Sequence, residues 1–169
     1  MSDERLPLHI DPLRLARAGA QLRGRMPMAE MARFAPLLAA VPGEAEVALD
    51  FGVDVERRAF MRLQLRAEVA LVCQRCLGPV RHPIAMERLL GVVTSEVQAE
   101  KLPDIYEPLY VAEEPLFLRE VIEDELILSL PIVPRHAEDE CAPAVAGTDN
   151  KAGSARENPF AVLAGFKNH

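Results

Sequence analysis

The chain has 169 residues, half of them apolar and only 5% aromatic, and its formal net charge is −7. This length suits one domain with an aliphatic core, and the acidic balance argues against non-specific binding to nucleic acid. No apolar run approaches the roughly 18 residues of a membrane span, and the N-terminus MSDERLPLHIDPLRL lacks the basic start of a secretory signal, so we expect a cytoplasmic protein.

The first segments predict two short strands around a helix. Residues 6–10 fit an edge strand, and residues 20–26 fit a second strand. Between them, Asp11 and Pro12 supply an N-cap and a first-turn proline, which predict a helical turn through about Arg17.

A second helix is predicted directly after Pro27. Met28, Met31 and Phe34 recur at helical spacing in the stretch MAEMARFAPLLAA. Pro36 should bend or end this helix, because proline cannot donate the backbone hydrogen bond that continues it.

Residues 44–72 have the pattern of an antiparallel hairpin. Apolar residues alternate with polar ones in EAEVALDFGVDV and again in RAFMRLQLRAEVALVC, with a short polar connection at residues 56–58. The solvated face of this hairpin would carry Arg58, Arg62 and Arg66.

The second half of the chain predicts one more strand and one longer helix. Residues 80–93 fit a third strand, and the acidic, proline-broken residues 96–114 fit a loop. Residues 116–130, LFLREVIEDELILSL, fit an amphipathic helix. The sequence thus predicts an α+β domain over residues 1–141, built on an antiparallel sheet that either stays open or closes into a barrel.

The last 28 residues predict a tail. Residues 142–157 have the small and polar composition of a flexible linker. Residues 158–169 predict a short helical motif that could dock on a partner or pack on its own domain. The residues of this motif that we assign to docking are Asn158 as cap, Pro159 at the first helical position, and the apolar Phe160, Val162 and Leu163.

Two cysteines lie three residues apart in VCQRCLGPV, residues 72–80. A redox pair would sit at a helix N-terminus, whereas Cys73 and Cys76 end a strand and run into a Gly-Pro turn. A zinc knuckle requires two cysteines on such a tight turn, so that both sulfurs can face one ion. Plain burial at a strand end is the third reading.

A metal site needs two further ligands, and RHAEDEC at residues 135–141 offers them. His136 and Cys141 complete a tetrahedral Cys3His set with Cys73 and Cys76, and this set uses every cysteine of the chain. Zinc is the expected ion, and its role would be structural, because four protein ligands leave no open position for catalysis.

Charge is segregated along the chain. Residues 57–88 carry seven arginines against two glutamates, whereas residues 96–140 carry thirteen acids against three basic residues. The two halves could neutralise each other within the fold, or the arginines could bind RNA phosphate. The residues that we assign to RNA binding are Arg58, Arg62, Arg66, Arg75 and Arg81.

Several stretches resemble the YceD family, bacterial proteins linked to accumulation of large-subunit (23S) ribosomal RNA. They are LPLHIDPLRLA (6–16), VCQRCLGPV (72–80), LPDIYEPLYV (102–111), VIEDELILSLPIVPRH (121–136) and NPFAVLAGFK (158–167). The resemblance implies a role in the synthesis, processing or stability of that RNA, without an established catalytic activity.

Three functions remain to be weighed from the sequence. The first is a ribosome biogenesis factor that binds large-subunit rRNA or a pre-ribosomal particle. The second is an adaptor whose acidic half and C-terminal motif hold a ribosomal protein or an rRNA-processing enzyme. An enzyme is disfavoured, because the consecutive Glu123, Asp124 and Glu125 should not converge on a metal, and no membrane or small-molecule substrate is expected.

Overall fold

The computed structural model describes residues 5–40, 43–111, 115–137 and 140–141. Seven strands, three α-helices and two 3-10 turns lie in these ranges. The strands are β1 His9–Ile10, β2 Gln21–Pro27, β3 Glu44–Val53, β4 Ala59–Val72, β5 Pro79–Val93, β6 Glu107–Tyr110 and β7 Leu116–Phe117. The α-helices are α1 Pro12–Ala18, α2 Glu96–Ala99 and α3 Leu118–Ser129, and the 3-10 turns are Met28–Glu30 and Ala35–Leu37. The predicted α+β class is confirmed.

The main sheet has five strands in the order β2-β3-β4-β5-β6. The first four are antiparallel neighbours, and β6 runs parallel to the end of β5. In the part of the chain that is described, β2 and β6 each have one neighbour, so this sheet is open and not a barrel. β1 and β7 form a separate two-stranded ribbon.

The core lies on one face of this sheet, as the period of two predicts. Met61, Leu63 and Leu65 of β4 are fully buried, while Arg62, Gln64 and Arg66 between them are exposed. α1 packs over β3 and β4, capped by the Asp11 side chain, which accepts from the Arg14 N–H at 2.9 Å. The hairpin β3–β4, the strand β5 and the helix α1 were therefore predicted correctly.

Two predictions about segments between these elements were wrong. The predicted helix after Pro27 is replaced by the two 3-10 turns, although Met28, Met31 and Phe34 are fully buried as expected. The buried carboxylate of Glu123 accepts the N–H groups of Arg33 and Phe34, so these donors serve α3 instead of a local helix. The predicted loop at 96–114 contains α2 and β6. Each has only four residues, which is too short for a helical or alternating pattern to be visible in the sequence.

Candidate metal centre

The turn between β4 and β5 holds Cys73 and Cys76 in a closed loop. The Cys73 N–H donates to the carbonyl of Gly78, and the Leu77 N–H donates back to the carbonyl of Cys73, both at 2.9 Å. Leu77 has a φ of 60°, a left-handed conformation that is uncommon for a residue other than glycine. No helix starts at Cys73, so the turn lacks the helix N-terminus of a redox cysteine pair.

The chain returns to this turn after α3. The Gln74 N–H donates to the carbonyl of Pro134 at 2.9 Å, which fixes the segment that carries His136. Cys73 and Cys141 are buried, and Cys76 and His136 are half-buried. The four side chains place one ligand atom each within 4.8 Å of one another. The predicted ligand set is therefore brought together from positions far apart in the sequence.

The distances within this set match those expected around one ion. Two sulfurs that each lie about 2.3 Å from a zinc ion are about 3.8 Å apart, and a sulfur and an imidazole nitrogen are about 3.6 Å apart. The Sγ atoms of Cys73 and Cys141 are 3.8 Å apart, and Cys76 Sγ lies 3.4 Å from His136 Nδ1. A disulfide would need about 2.05 Å, and all three cysteines are free.

A main-chain carbonyl orients the histidine for ligation. His136 Nε2 lies 2.9 Å from the carbonyl oxygen of Pro79, which can only accept, so Nε2 carries the proton. In the neutral ring, Nδ1 therefore carries the lone pair, and it faces Cys76. Metal-bound histidines are commonly held in this way, with the second ring nitrogen donating to a carbonyl or carboxylate.

The electrostatics of the turn shift the pKa values of Cys73 and Cys76 in opposite directions. The backbone N–H of Cys76 outweighs burial and, with smaller contributions from His136 and Arg75, lowers the pKa of the Cys73 thiol to about 5. For Cys76, the N–H of Gly78 acts to lower the pKa, but burial and the neighbouring sulfurs of Cys141 and Cys73 raise it overall. The neighbouring sulfurs thus oppose ionisation of Cys76, which a divalent cation would relieve.

Cations close to the sulfurs also compensate negative charge. The Cys73 sulfur raises the pKa of His136 through a side-chain hydrogen bond. The Cys141 sulfur similarly raises the pKa of Arg75. Among the described residues, these four side chains form the one group of three or more Cys, His, Asp or Glu able to hold a metal. The arrangement fits a closed structural site for a thiophilic ion.

The structure distributes the predicted RNA-binding arginines over four places. Arg62 and Arg66 lie on the exposed face of β4, Arg75 lies in the cysteine turn, and Arg81 is 85% exposed on β5. Arg58 lies at the opposite end of the sheet, where it pairs with Asp54 and Glu56.

The outer face of β2 to β5 carries equal numbers of both charges. Strand register places five arginines and five carboxylates on it: Arg23, Arg25, Arg62, Arg66 and Arg81, with Glu44, Glu46, Asp50, Glu68 and Glu87. Arg62 and Arg81 pair with Glu87 and Glu68 at 3.5 and 3.7 Å, whereas no ion pair is recorded for Arg66 within the described ranges. Neutralisation on this face is thus local, between neighbouring strands.

The consecutive acids of α3 contact two different arginines. Glu123 and Asp124 both contact the guanidinium of Arg33, and Glu125 lies 3.5 Å from Arg88. Each carboxylate thus has a cation as its partner.

Some site features lay beyond the reach of sequence reasoning. The carbonyl of Pro79 orients His136, yet a main-chain acceptor leaves no mark on residue identity. The predicted docking motif (Asn158, Pro159, Phe160, Val162 and Leu163) and the linker at 142–157 lie outside the described residues and stay predictions.

Comparison with known proteins places the chain among its relatives. Residues 61–167 match the family described as "Large ribosomal RNA subunit accumulation protein YceD". A protein of that same name from Haemophilus influenzae (strain ATCC 51907 / DSM 11121 / KW20 / Rd) is 34% identical over 172 residues, covering 99% of each chain. The chain belongs to the YceD family.

The YceD match includes β4 from residue 61 onward, all of β5 and all four candidate ligands. The name shared by the family and its relative describes RNA accumulation and no catalytic activity. No solved structure matches the chain significantly. Across the described part of this YceD protein, no helix is both long and apolar enough to cross a membrane.

Proposed function

We propose that this protein is a cytoplasmic ribosome biogenesis factor that supports the accumulation of large-subunit rRNA by binding and without catalysis. The observation that carries the proposal is membership of the YceD family over nearly the whole chain, with a relative named for this role.

The proposal assigns zinc to Cys73, Cys76, His136 and Cys141. Three sulfurs and one imidazole suit zinc better than the oxygen-preferring Mg²⁺ or Ca²⁺. When bound, the ion supplies structural stabilisation. The protein's own residues orient the ligands: Pro79 through His136 Nε2, and the turn N–H groups through the Cys73 sulfur.

The rRNA contacts are assigned to arginines on and beside the outer face, which are Arg58, Arg62, Arg66, Arg75 and Arg81. Arg66 is the strongest candidate in the middle of the sheet, because no carboxylate pairs with it in the described structure. Arg81 is almost fully exposed, so it can exchange its weak pair with Glu68 for a phosphate. Few exposed aromatic rings accompany these arginines, which favours contact with the backbone of folded RNA over stacking on bases.

The test is the ratio of large- to small-subunit rRNA in cells that lack the protein. Wild type should restore a lowered ratio, whereas Cys73→Ser/Cys76→Ser and Arg62→Glu/Arg66→Glu should not. Arg5→Glu/Arg14→Glu is the matched control, with the same charge change on exposed arginines, one of them on α1 across the sheet. An unchanged ratio in the deletion strain would overturn the assignment.

An adaptor role is the second candidate, favoured by the surface of α2 and the segment that follows it. Exposed acids at Glu96, Glu100 and Asp104 lie among exposed Val97 and Ile105, a mixture that suits a basic protein partner more than RNA. Tagged protein should then recover a ribosomal protein or a processing enzyme after nuclease treatment. Charge reversal at Glu96 and Glu100 should abolish that recovery, and recovery of nothing after nuclease would remove this candidate.

A further inference from the structure

A pocket of about 770 Å³ lies at the end of the sheet opposite the metal centre. α1, the ends of β3 and β5, the β3–β4 turn and the segment after α2 all contribute to it. β4 runs between the pocket and the cysteine turn, and its 14 residues span about 40 Å. The pocket is therefore separate from the candidate metal site.

The wall of this pocket combines an apolar floor with a cationic rim. Leu13, Val53, Val92 and Leu102 are among the apolar residues that line it. The cations are Arg17, Arg57, Arg58 and Lys101, and no carboxylate lies among the lining residues. This composition attracts an anion that also carries an apolar surface.

Three of the four cations are available for such an anion. Arg58 is partly neutralised by Asp54 and Glu56. Arg17, Arg57 and Lys101 are exposed, and no ion pair is recorded for them within the ranges described. The pocket is thus a place where uncompensated positive charge gathers on an otherwise acidic protein.

The turn that carries Arg57 is held rigidly. The Asp54 carboxylate accepts the N–H groups of Glu56 and Arg58 at 2.9 and 2.8 Å, and the hydroxyl of Tyr106 at 3.2 Å. Arg57 itself has a φ of 65°, a left-handed conformation that is uncommon for a residue other than glycine. Its backbone is therefore fixed before any ligand arrives, which lowers the entropy cost of binding.

Polar side chains at the pocket supply further contacts. The side-chain amide oxygen of Gln98 (Oε1) accepts hydrogen bonds from the backbone N–H of Thr94 at 2.8 Å and from its hydroxyl at 3.1 Å. Its amide N–H2 group is left without an acceptor in the described structure, so it can donate to a ligand.

We propose that this pocket binds a phosphorylated nucleotide, with the phosphate on Arg17, Arg57 and Lys101 and the base over the apolar floor. The choice of a nucleotide over other phosphate esters rests on the proposed function in RNA binding. The same chemistry has two sources, a free mononucleotide and the 5′-phosphorylated end of an RNA strand.

Binding of AMP by calorimetry, and of a short single-stranded RNA with and without a 5′-phosphate by fluorescence anisotropy, tests the proposal. The phosphorylated RNA should bind more tightly than its 5′-hydroxyl form. Arg57→Glu/Lys101→Glu should weaken it at least about tenfold, because two charge-assisted hydrogen bonds are lost. For AMP, which is too small to reach β2 from the pocket, Arg23→Glu/Arg25→Glu gives the same charge change and should leave the affinity within about twofold. Arg57→Gln/Lys101→Gln should give an intermediate loss, and unchanged melting temperatures show that each variant folds.

The outcomes separate the two sources and the two proposals. AMP bound as tightly as phosphorylated RNA identifies a mononucleotide site, and RNA bound alone identifies a strand-end site. Equal affinity for the two RNA forms together with no binding of AMP overturns the pocket assignment, and so does an unchanged affinity of Arg57→Glu/Lys101→Glu for the ligand that binds. That result leaves the cellular rRNA ratio as an independent test of the proposed function, and a bound nucleotide with an unchanged ratio would remove the function alone.

Discussion

Glu123 is buried beneath the segment that carries the two 3-10 turns, and its replacement tests how α3 packs against that segment. Its side chain is 5% exposed, and its Oε1 accepts the N–H groups of Arg33 at 2.5 Å and of Phe34 at 2.9 Å. These backbone contacts, with the guanidinium of Arg33, lower the pKa of Glu123 despite its burial. The carboxylate thus joins α3 to the chain between β2 and β3.

Glu123→Ala should lower the free energy of unfolding by about 2–4 kcal/mol. Each backbone N–H left buried without an acceptor costs about 1–3 kcal/mol, and the cost is smaller for Arg33, which is nearer to water. The Arg33 side chain is 51% exposed and regains hydration, so its lost ion pair adds little. For a domain of this size the melting temperature should fall by about 4–16 °C.

Urea denaturation followed by circular dichroism measures this difference. Asp124→Ala is the matched control, because Asp124 pairs with the same Arg33 at 2.6 Å but is 56% exposed, so it should cost about 0–1 kcal/mol. Glu123→Gln, which keeps one acceptor oxygen, should fall between the two. Equal losses for the alanine variants at 123 and 124 would refute the argument from buried N–H groups.

Three further predictions concern metal, pH and strand packing. Atomic absorption should find about one zinc per chain, and saturating zinc should add about 4 kcal/mol of stability at a thousand times Kd, with Cys141→Ser abolishing both effects. Because the folded-state pKa of Glu123 is lowered, its contribution should be complete above about pH 4.3 and lost as the pH falls through the folded-state pKa; acid titration should show this in wild type and not in Glu123→Gln. Gly52→Ala should cost about 1–3 kcal/mol in urea melts, since the added Cβ would lie 2.6 Å from the Phe60 ring, and an unchanged midpoint would mean that the ring moves aside freely.

Prediction from sequence succeeded where local pattern decides structure. The alternation in β3 and β4 fixed both the hairpin and the side that faces the core, because a one-residue slip would expose the whole buried set. The Gly-Pro sequence after Cys76 likewise indicated that both cysteines lie on one tight turn. The α1 boundaries followed from Asp11 and Pro12, which act within one turn.

Prediction failed where partners far away in sequence decide structure. The spacing of Met28, Met31 and Phe34 predicted correctly that these residues are buried. It did not predict the backbone conformation, because the N–H groups of Arg33 and Phe34 donate to the carboxylate of Glu123. β6 exists because β5 offers it hydrogen bonds at Leu90–Val93. The charge balance of the outer face depends on which residues of neighbouring strands come to lie on that face. The sequence of β4 alone shows its arginines but not the carboxylates that β3 and β5 add.

The span between the two halves of the Cys/His set has a consequence for the order of folding. Cys73 and Cys141 are 68 positions apart, and everything from β5 to α3 lies in the loop that they close. Closing such a loop by a covalent bond restricts the unfolded chain by about 4 kcal/mol, and a tightly held ion acts as a comparable crosslink. During synthesis the fourth ligand emerges only after that whole loop has left the ribosome. A metal would therefore bind at this centre last, after the sheet has formed. Its removal would release the segment after α3 before any other part of the fold.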